Sequence, residues 1–212
     1  MSVALRKNTS CGGNFEDGLF SRIARDLEAQ GYSINPRALP DRLTRSLSYH
    51  HSHMEKGAFQ TAGVGRTAGY RHDGRIRGDE ICWITGESLA GNHWLKWTAE
   101  LRRYLNHRLF LGLRTFESHF AHYAPNTFYR RHVDAFRGTS NRVLSLIIYL
   151  HQDWGIKDGG ELIIYPSDAG SEAISVLPHW GTIVVFLSED FPHEVLPARR
   201  DRYSVAGWFR ND

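Results

Sequence analysis

The chain has 212 residues, 41% hydrophobic and 12% aromatic, which is enough for one folded domain with a real core and too apolar for a disordered chain. Its formal net charge of +3, from 26 Lys and Arg against 23 Asp and Glu, includes no long run of like charges, so it carries no basic tail of the kind that grips nucleic acid. Cys11 and Cys82 stand far apart and in no CxxC pair, and there is neither an N-terminal apolar stretch nor an apolar run long enough to span a bilayer; the sequence predicts a cytoplasmic protein without disulfides or a membrane span.

Residues 1–13 read as a frayed tail ending at Gly12-Gly13. Asn14 is placed to cap a helix to about Gln30, because Phe15, Leu19, Ile23 and Leu27 recur every four residues on one face, and Gly31 is its stop. Tyr32 to Ile34 reads as a short strand and Asn35-Pro36 as a turn. Pro40-Asp41 opens a second helix carrying Leu43, Leu47 and Met54. Its cluster Tyr49-His50-His51-Ser52-His53 puts His50 and His53 on one face, an arrangement a metal could use, but with no carboxylate among them a polar helix surface is the plainer reading.

From Gly57 to Gly78 the chain is glycine-rich and basic, with no GxGxxG after a strand and no phosphate-loop lysine, so nucleotide binding is not expected. The segment is either ordinary surface loop or a lid. As a clamp over a substrate, residues 57–93 would be mobile when empty and ordered when occupied, with Arg71, Arg75, Arg77 and Trp83 making the contacts. Glu80 to Ile84 reads as a strand, and His93 to His107 as a third helix whose Trp94, Trp97, Leu101 and Leu105 pack on a sheet. Strand-like runs follow over 114–123, 127–133, 142–151, 160–166, 172–177, 181–188 and 202–210. Short strands between turn signals are the pattern of a β-sandwich or barrel, so the fold class is mainly β with bracing helices. No repeat or linker divides the chain, and 1–212 reads as one domain with a helical region at 1–56 and a β core over 114–210.

The chemistry concentrates in Tyr123 to Asp134, YAPNTFYRRHVD. Alternation along an extended chain puts His132 and Asp134 on one side and Val133 on the other. With His193 of FPHEV as a distant third ligand, they would form the 2-His-1-carboxylate facial triad of non-haem Fe(II) oxygenases, which leaves three coordination positions for cosubstrate and dioxygen. Arg202 lies 202 − 193 = 9 residues later, a spacing that suits a hairpin with the ligand on one strand and a carboxylate-binding arginine on the next. Ser204, Ala206, Trp208 and Arg210 share the face of Arg202, so Ser204 can assist the carboxylate and Trp208 can wall the pocket. An inward Arg202 requires an anionic ligand or a buried acidic partner. In RVLSLIIYLH, Ser145, Ile147 and Tyr149 form one face, and Tyr149 is either core or a second donor to the carboxylate.

The segments IRGDEICWI, YAPNTFYRRHVD, RVLSLIIYLHQDW, GGELIIYP, FPHEVLPA and RYSVAGWF together resemble the prolyl 4-hydroxylase branch of the Fe(II)/2-oxoglutarate oxygenases, in particular the bacterial relatives of the hypoxia-inducible-factor prolyl hydroxylases. The resemblance implies a double-stranded β-helix, or jelly roll, with iron on His132, Asp134 and His193 and the distal carboxylate of 2-oxoglutarate on Arg202 and Tyr149. It places Tyr123 and Tyr129 along the cosubstrate pocket and Arg142 near the substrate. It makes residues 70–93 a finger loop over the peptide, with Arg77 and Asp79 at its base. The implied cofactors are Fe(II), 2-oxoglutarate and O2, with L-ascorbate as an accessory. The implied partner is a protein with an exposed proline, for which elongation factor Tu is a candidate because some bacterial members modify it. Two other functions fit the same scaffold. One is oxidative demethylation of nucleic-acid bases, but that branch carries a second arginine six residues after the first, where this chain has Trp208. The other is a silent oxygen- or 2-oxoglutarate-sensing protein, against which the intact ligand set argues.

Overall fold

The computed structural model describes residues 13–55, 57–63, 73–136, 141–166 and 172–212, apart from the side chains of 13–17. Among the described residues, three α-helices, α1 (Gly13–Gln30), α2 (Asp41–Ser52) and α3 (Leu89–Leu109), accompany eleven strands. These are β1 (Tyr32–Asn35), β2 (Gln60–Thr61), β3 (Glu80–Trp83), β4 (Thr115–Tyr123), β5 (Tyr129–His132), β6 (Arg142–Tyr149), β7 (Leu162–Ile164), β8 (Ile174–Val176), β9 (Ile183–Leu187), β10 (His193–Val195) and β11 (Arg202–Arg210).

The strands form a seven-stranded sheet in the order β1-β9-β6-β11-β4-β3-β2 and a four-stranded sheet in the order β5-β10-β7-β8, with every pairing antiparallel. Alternation divides the large sheet into two faces. Leu144, Leu146 and Ile148 of β6 join Val205 and Phe209 of β11 in a core shared with Leu19, Ile23, Leu47, Trp94, Leu101 and Leu105 of the helices. Tyr149, Val184 and Phe186 point the other way and meet Leu162, Ile164, Val176 and Val195 of the small sheet. The result is a jelly roll with helices on the outer face of its larger sheet and the inner faces of both sheets left to line a cavity.

Helix α3 ties down that outer face. The Ser88 side chain caps its N-terminus by accepting from Gly91 N–H at 3.0 Å, and Phe110 ends it in the left-handed region at φ 54°. Trp94 donates its indole N–H to Ser118 Oγ of β4 at 3.0 Å, so a fully buried ring is also satisfied.

Several expectations need correction. α3 begins at Leu89, so the last residues of the expected 70–93 finger belong to a helix. Residues 64–72, which hold much of the glycine-rich segment and Arg71, lie outside the described residues, as do Cys11 and the 1–12 tail. The hairpin between His193 and Arg202 does not form. β10 pairs with β5 and β7 in the small sheet, whereas β11 pairs with β4 and β6 in the large one. The intervening residues cross from one sheet to the other, which separates the two side chains across the cavity. Finally, His51 is half-buried against aromatic rings, not on an open helix surface. Its ring lies 4.3 Å from that of Tyr203 and 5.6 Å from that of Phe59, and burial pushes its pKa down to about 4.

Candidate active site

The two histidines of the expected triad come from adjacent strands. His132 ends β5 and His193 opens β10, and the two are directly paired across the small sheet, with rings 4.3 Å apart. Asp134 follows His132 by two residues, as alternation requires. His132 Nε2 lies 3.7 Å from Asp134 Oδ1 and His193 Nε2 lies 3.6 Å from Asp134 Oδ2. One ligand atom from each residue falls within 4.8 Å of the others, the only such metal-type group among the described residues.

The surroundings decide what these groups can do. His132 Nδ1 donates to the carbonyl of Arg130 at 2.8 Å and His193 Nδ1 to that of Phe191 at 2.9 Å. Each ring therefore carries a proton on Nδ1 and presents Nε2 toward Asp134, the orientation a metal ligand needs. Burial and the neighbouring His193 push the His132 pKa down to about 4. Burial alone would raise Asp134, but His193, His132 and the Ser145 hydroxyl outweigh it and bring the pKa to about 2. Ser145 donates to Asp134 Oδ2 at 2.6 Å, and the Ser188 hydroxyl lies 2.9 Å behind it, placed to donate in turn. Two imidazoles fixed through their Nδ1 bonds and an ionised, oriented carboxylate on one side of an open cavity fit a six-coordinate divalent iron.

Arg202 enters the same cavity from the opposite sheet. Its side chain is 1% exposed, and its guanidinium lies 5.1 Å from the ring centres of both Tyr123 and Tyr149. Nε donates to Gly160 O at 2.8 Å and Nη1 to Ser204 Oγ at 3.4 Å. No carboxylate among the described residues pairs with it. The Tyr149 hydroxyl is also buried without a hydrogen bond of proper geometry, although the guanidinium is close enough to oppose the rise that burial imposes on the phenol. A buried cation and an orphaned hydroxyl side by side are costly unless an anion completes them, and 2-oxoglutarate's distal carboxylate has the right charge and bidentate geometry.

The cavity, about 580 Å³, joins these groups: His132, Asp134 and His193 at one level, and Arg202, Tyr149, Tyr123 and Ser204 at another. Tyr129 stacks on His132 at 3.6 Å, and Trp208 and Arg142 form part of the wall. Arg142 lies 3.6 Å over the Trp208 ring and is held by Glu117 Oε1 at 2.9 Å. Arg77 also lines the cavity, 4.7 Å over the Tyr129 ring. Asp79 does not: it is wholly buried behind Arg77, with bonds of 2.5 and 2.8 Å to that guanidinium. Its place is to hold Arg77, not to touch a ligand.

Sequence reasoning missed two participants. Ser145 was assigned only to a strand face, and nothing local shows that Asp134 bonds it. His119 of β4 lines the cavity between the rings of Trp83 and Trp208, at 5.1 and 5.3 Å, with its buried Nδ1 lacking a hydrogen-bond partner among the described residues. Burial, aided by Arg77 and Arg142, lowers its pKa to about 3. Its place in a strand-period pattern gives no hint, since a histidine facing a cavity and one facing solvent occupy the same register.

A jelly roll holding two histidines and an aspartate opposite a buried arginine is the architecture of the facial-triad oxygenases. Comparison with known proteins narrows the class. Residues 118–210 match the family model described as the 2OG-Fe(II) oxygenase superfamily. A prolyl-4-hydroxylase from Pseudomonas putida is 39% identical, covering 92% of this chain and 100% of its own, with a TM-score of 0.82. A Trichoplax adhaerens prolyl hydroxylase, solved with a hypoxia inducible factor oxygen degradation domain peptide, is 25% identical over 97% of this chain and 94% of its own, with a TM-score of 0.80. Egl nine homolog 1 of Homo sapiens is 34% identical over 143 residues, 63% of this chain, so the match spans about a third (33%) of that relative's length. The chain belongs to the prolyl 4-hydroxylase family of the 2OG-Fe(II) oxygenases.

Proposed function

We propose that this chain is a peptidyl-prolyl 4-hydroxylase that couples hydroxylation of a prolyl residue to conversion of 2-oxoglutarate and O2 into succinate and CO2. One oxygen atom of O2 enters the proline and the other the succinate, so the reaction balances without a further reductant. The observation that carries the reading is the buried, carboxylate-free Arg202 opening onto the same cavity as the histidine-aspartate group. Iron, when bound, supplies the oxidising chemistry. In this reading His132, Asp134 and His193 hold it, with the Nδ1 bonds fixing both imidazoles. Arg202, Tyr149 and Ser204 take the distal carboxylate of 2-oxoglutarate, and Tyr123 and Tyr129 flank the rest of that molecule. Trp208 and the walls around it exclude water from the reacting atoms. Arg77, braced by Asp79, and Arg142, braced by Glu117, stand at the substrate side of the cavity, where their fixed forks suit peptide carbonyl oxygens.

The partner is a protein with an exposed proline, since a proline inside a helix is rare and could not be laid across the cavity. Elongation factor Tu is the substrate to test first. L-ascorbate serves as an accessory reductant, and the working compartment is the cytoplasm. The 212 residues act as one oxygenase domain. The test is succinate release on adding Fe(II) and 2-oxoglutarate, with and without a proline peptide, alongside mass spectrometry of the peptide. Peptide-stimulated succinate and one added oxygen on proline are expected. Succinate release that no proline peptide stimulates, with no oxygen gained, would refute prolyl hydroxylation.

A further inference from the structure

The antiparallel ladder between β11 and β6 stops at the pair Ser204 and Tyr149. Beyond it β6 has ended, and the edge of β11 toward Arg202 would be left without a partner on that side. The next donor along this edge, the N–H of Tyr203, is instead taken by a side chain: it donates to His151 Nε2 at 2.6 Å. An imidazole thus stands where a backbone carbonyl would continue the ladder, one residue from the arginine that faces the cavity.

The imidazole is itself held. Its ring lies 4.2 Å from that of Trp154, whose indole N–H donates to Gly159 O at 2.8 Å. The adjacent Gly160 offers its carbonyl to Arg202 Nε at 2.8 Å. Gly160 has φ +71°, and a Cβ there would lie 3.0 Å from Arg202 Cδ and 3.3 Å from the Trp154 ring, so this short segment fits closely around the arginine. One stretch of chain therefore grips Arg202 twice, by its side chain through Gly160 and by the neighbouring backbone through His151. His51, Arg200, Arg202, Asp158 and the stacked phenol of Tyr203 are charged or titratable groups around His151; burial and the two arginines keep it neutral, so the Nε2 lone pair is available as an acceptor.

We propose that His151 is a positioning residue for 2-oxoglutarate: its Nε2 supplies the terminal rung of β11 and so fixes the backbone from which Arg202 reaches the cosubstrate. The proposal rests on the reading that Arg202 takes the distal carboxylate. His151 does not line the cavity, and its effect is on where the guanidinium sits.

The test measures 2-oxoglutarate affinity by calorimetry on Mn(II)-loaded protein without peptide, for His151→Leu and His151→Gln. Leucine removes the acceptor; glutamine places an amide oxygen close to the Nε2 position. Loss of one such hydrogen bond predicts a Kd raised roughly two- to tenfold in His151→Leu, with kcat at saturating 2-oxoglutarate and Mn(II) affinity retained. His151→Gln should recover most of the native affinity. Amide exchange at Tyr203 should be faster in His151→Leu and near native in His151→Gln. If His151→Leu does not fold, His151→Asn, whose amide falls short of Tyr203, replaces it. Native 2-oxoglutarate affinity in the leucine variant, or equal loss in leucine and glutamine variants, would overturn the proposal and leave His151 a packing residue. Arg202→Ala separates the two failures. Lost affinity there beside native affinity in His151→Leu overturns the proposal alone; native affinity in Arg202→Ala overturns the reading of Arg202 and the proposal with it.

Discussion

Arg202 and Asp134 meet the cost of burying a charge in different ways. Asp134 is surrounded by two imidazoles and the Ser145 hydroxyl, and its ionised form is favoured even without a metal. Among the described residues Arg202 has only a carbonyl and hydroxyl oxygens, and no anion. Arg202→Ala should therefore raise the KM for 2-oxoglutarate by the equivalent of about 2–5 kcal/mol while leaving Mn(II) affinity nearly native. Calorimetry with 2-oxoglutarate decides it, and unchanged affinity would place the carboxylate elsewhere. Ser145→Ala tests the other half. Removing the group that orients a ligating carboxylate typically costs about 10–100-fold in metal affinity, and the same range is expected here by metal titration. Fully native metal affinity in Ser145→Ala would show that the two histidines fix Asp134 on their own.

At the level of elements, β11 organises the protein. It lies between β4 and β6, sends Arg202, Ser204 and Trp208 to the cavity, and gives Val205 and Phe209 to the helical core. Gly207 is the point of closest approach in this strand. A Cβ there would fall 2.7 Å from the Phe116 ring, 2.8 Å from Ser118 Cβ and 2.9 Å from Glu117 O. The ring can turn, but the backbone oxygen of a central strand cannot. Gly207→Ala should destabilise the fold by about 1–3 kcal/mol, the usual cost of overpacking, and lower the denaturation midpoint with little change in the slope. A midpoint equal to that of the native protein would mean that β4 can shift without loss.

For the whole molecule, acid sensitivity follows from where the histidines are buried. His51 is lowered to about 4, and His119 and His151 to about 3, in each case mainly by burial. The unfolded chain protonates such groups near pH 6.5, before the folded one does, so it binds more protons below that pH. The stability these groups contribute is fully present above pH 6.5 and is lost as pH falls toward 4 and then 3. For wholly buried His119, each pH unit of descent in that window costs about 1.4 kcal/mol. Asp134, lowered to about 2, adds a further loss below the ordinary carboxylate range. Urea midpoints of metal-free protein should fall steadily from pH 6.5 to 4, and His119→Phe should flatten the dependence. A midpoint constant across that range would show that these rings are hydrated.

The sequence by itself determined what is local. Period-two alternation sorted Ser145, Ile147 and Tyr149 from Leu144, Leu146 and Ile148, and period-four spacing placed Leu19, Ile23 and Leu27 on the buried face of α1. It also put His132 and Asp134 on one side of the chain, where Asp134 sits just past the end of β5. These features depend only on backbone geometry within a few residues. Tertiary structure decided which strands are neighbours. Residues 193 and 202 are close in sequence, but their strands lie in different sheets, because partners are chosen by the surface each strand buries and not by the length of the connection. The same long-range choices put Asp79 behind Arg77, His119 between two tryptophans, and the His151 side chain at the open end of a ladder. A polar residue's environment comes from what packs against it on every side, and that is set only when distant segments meet.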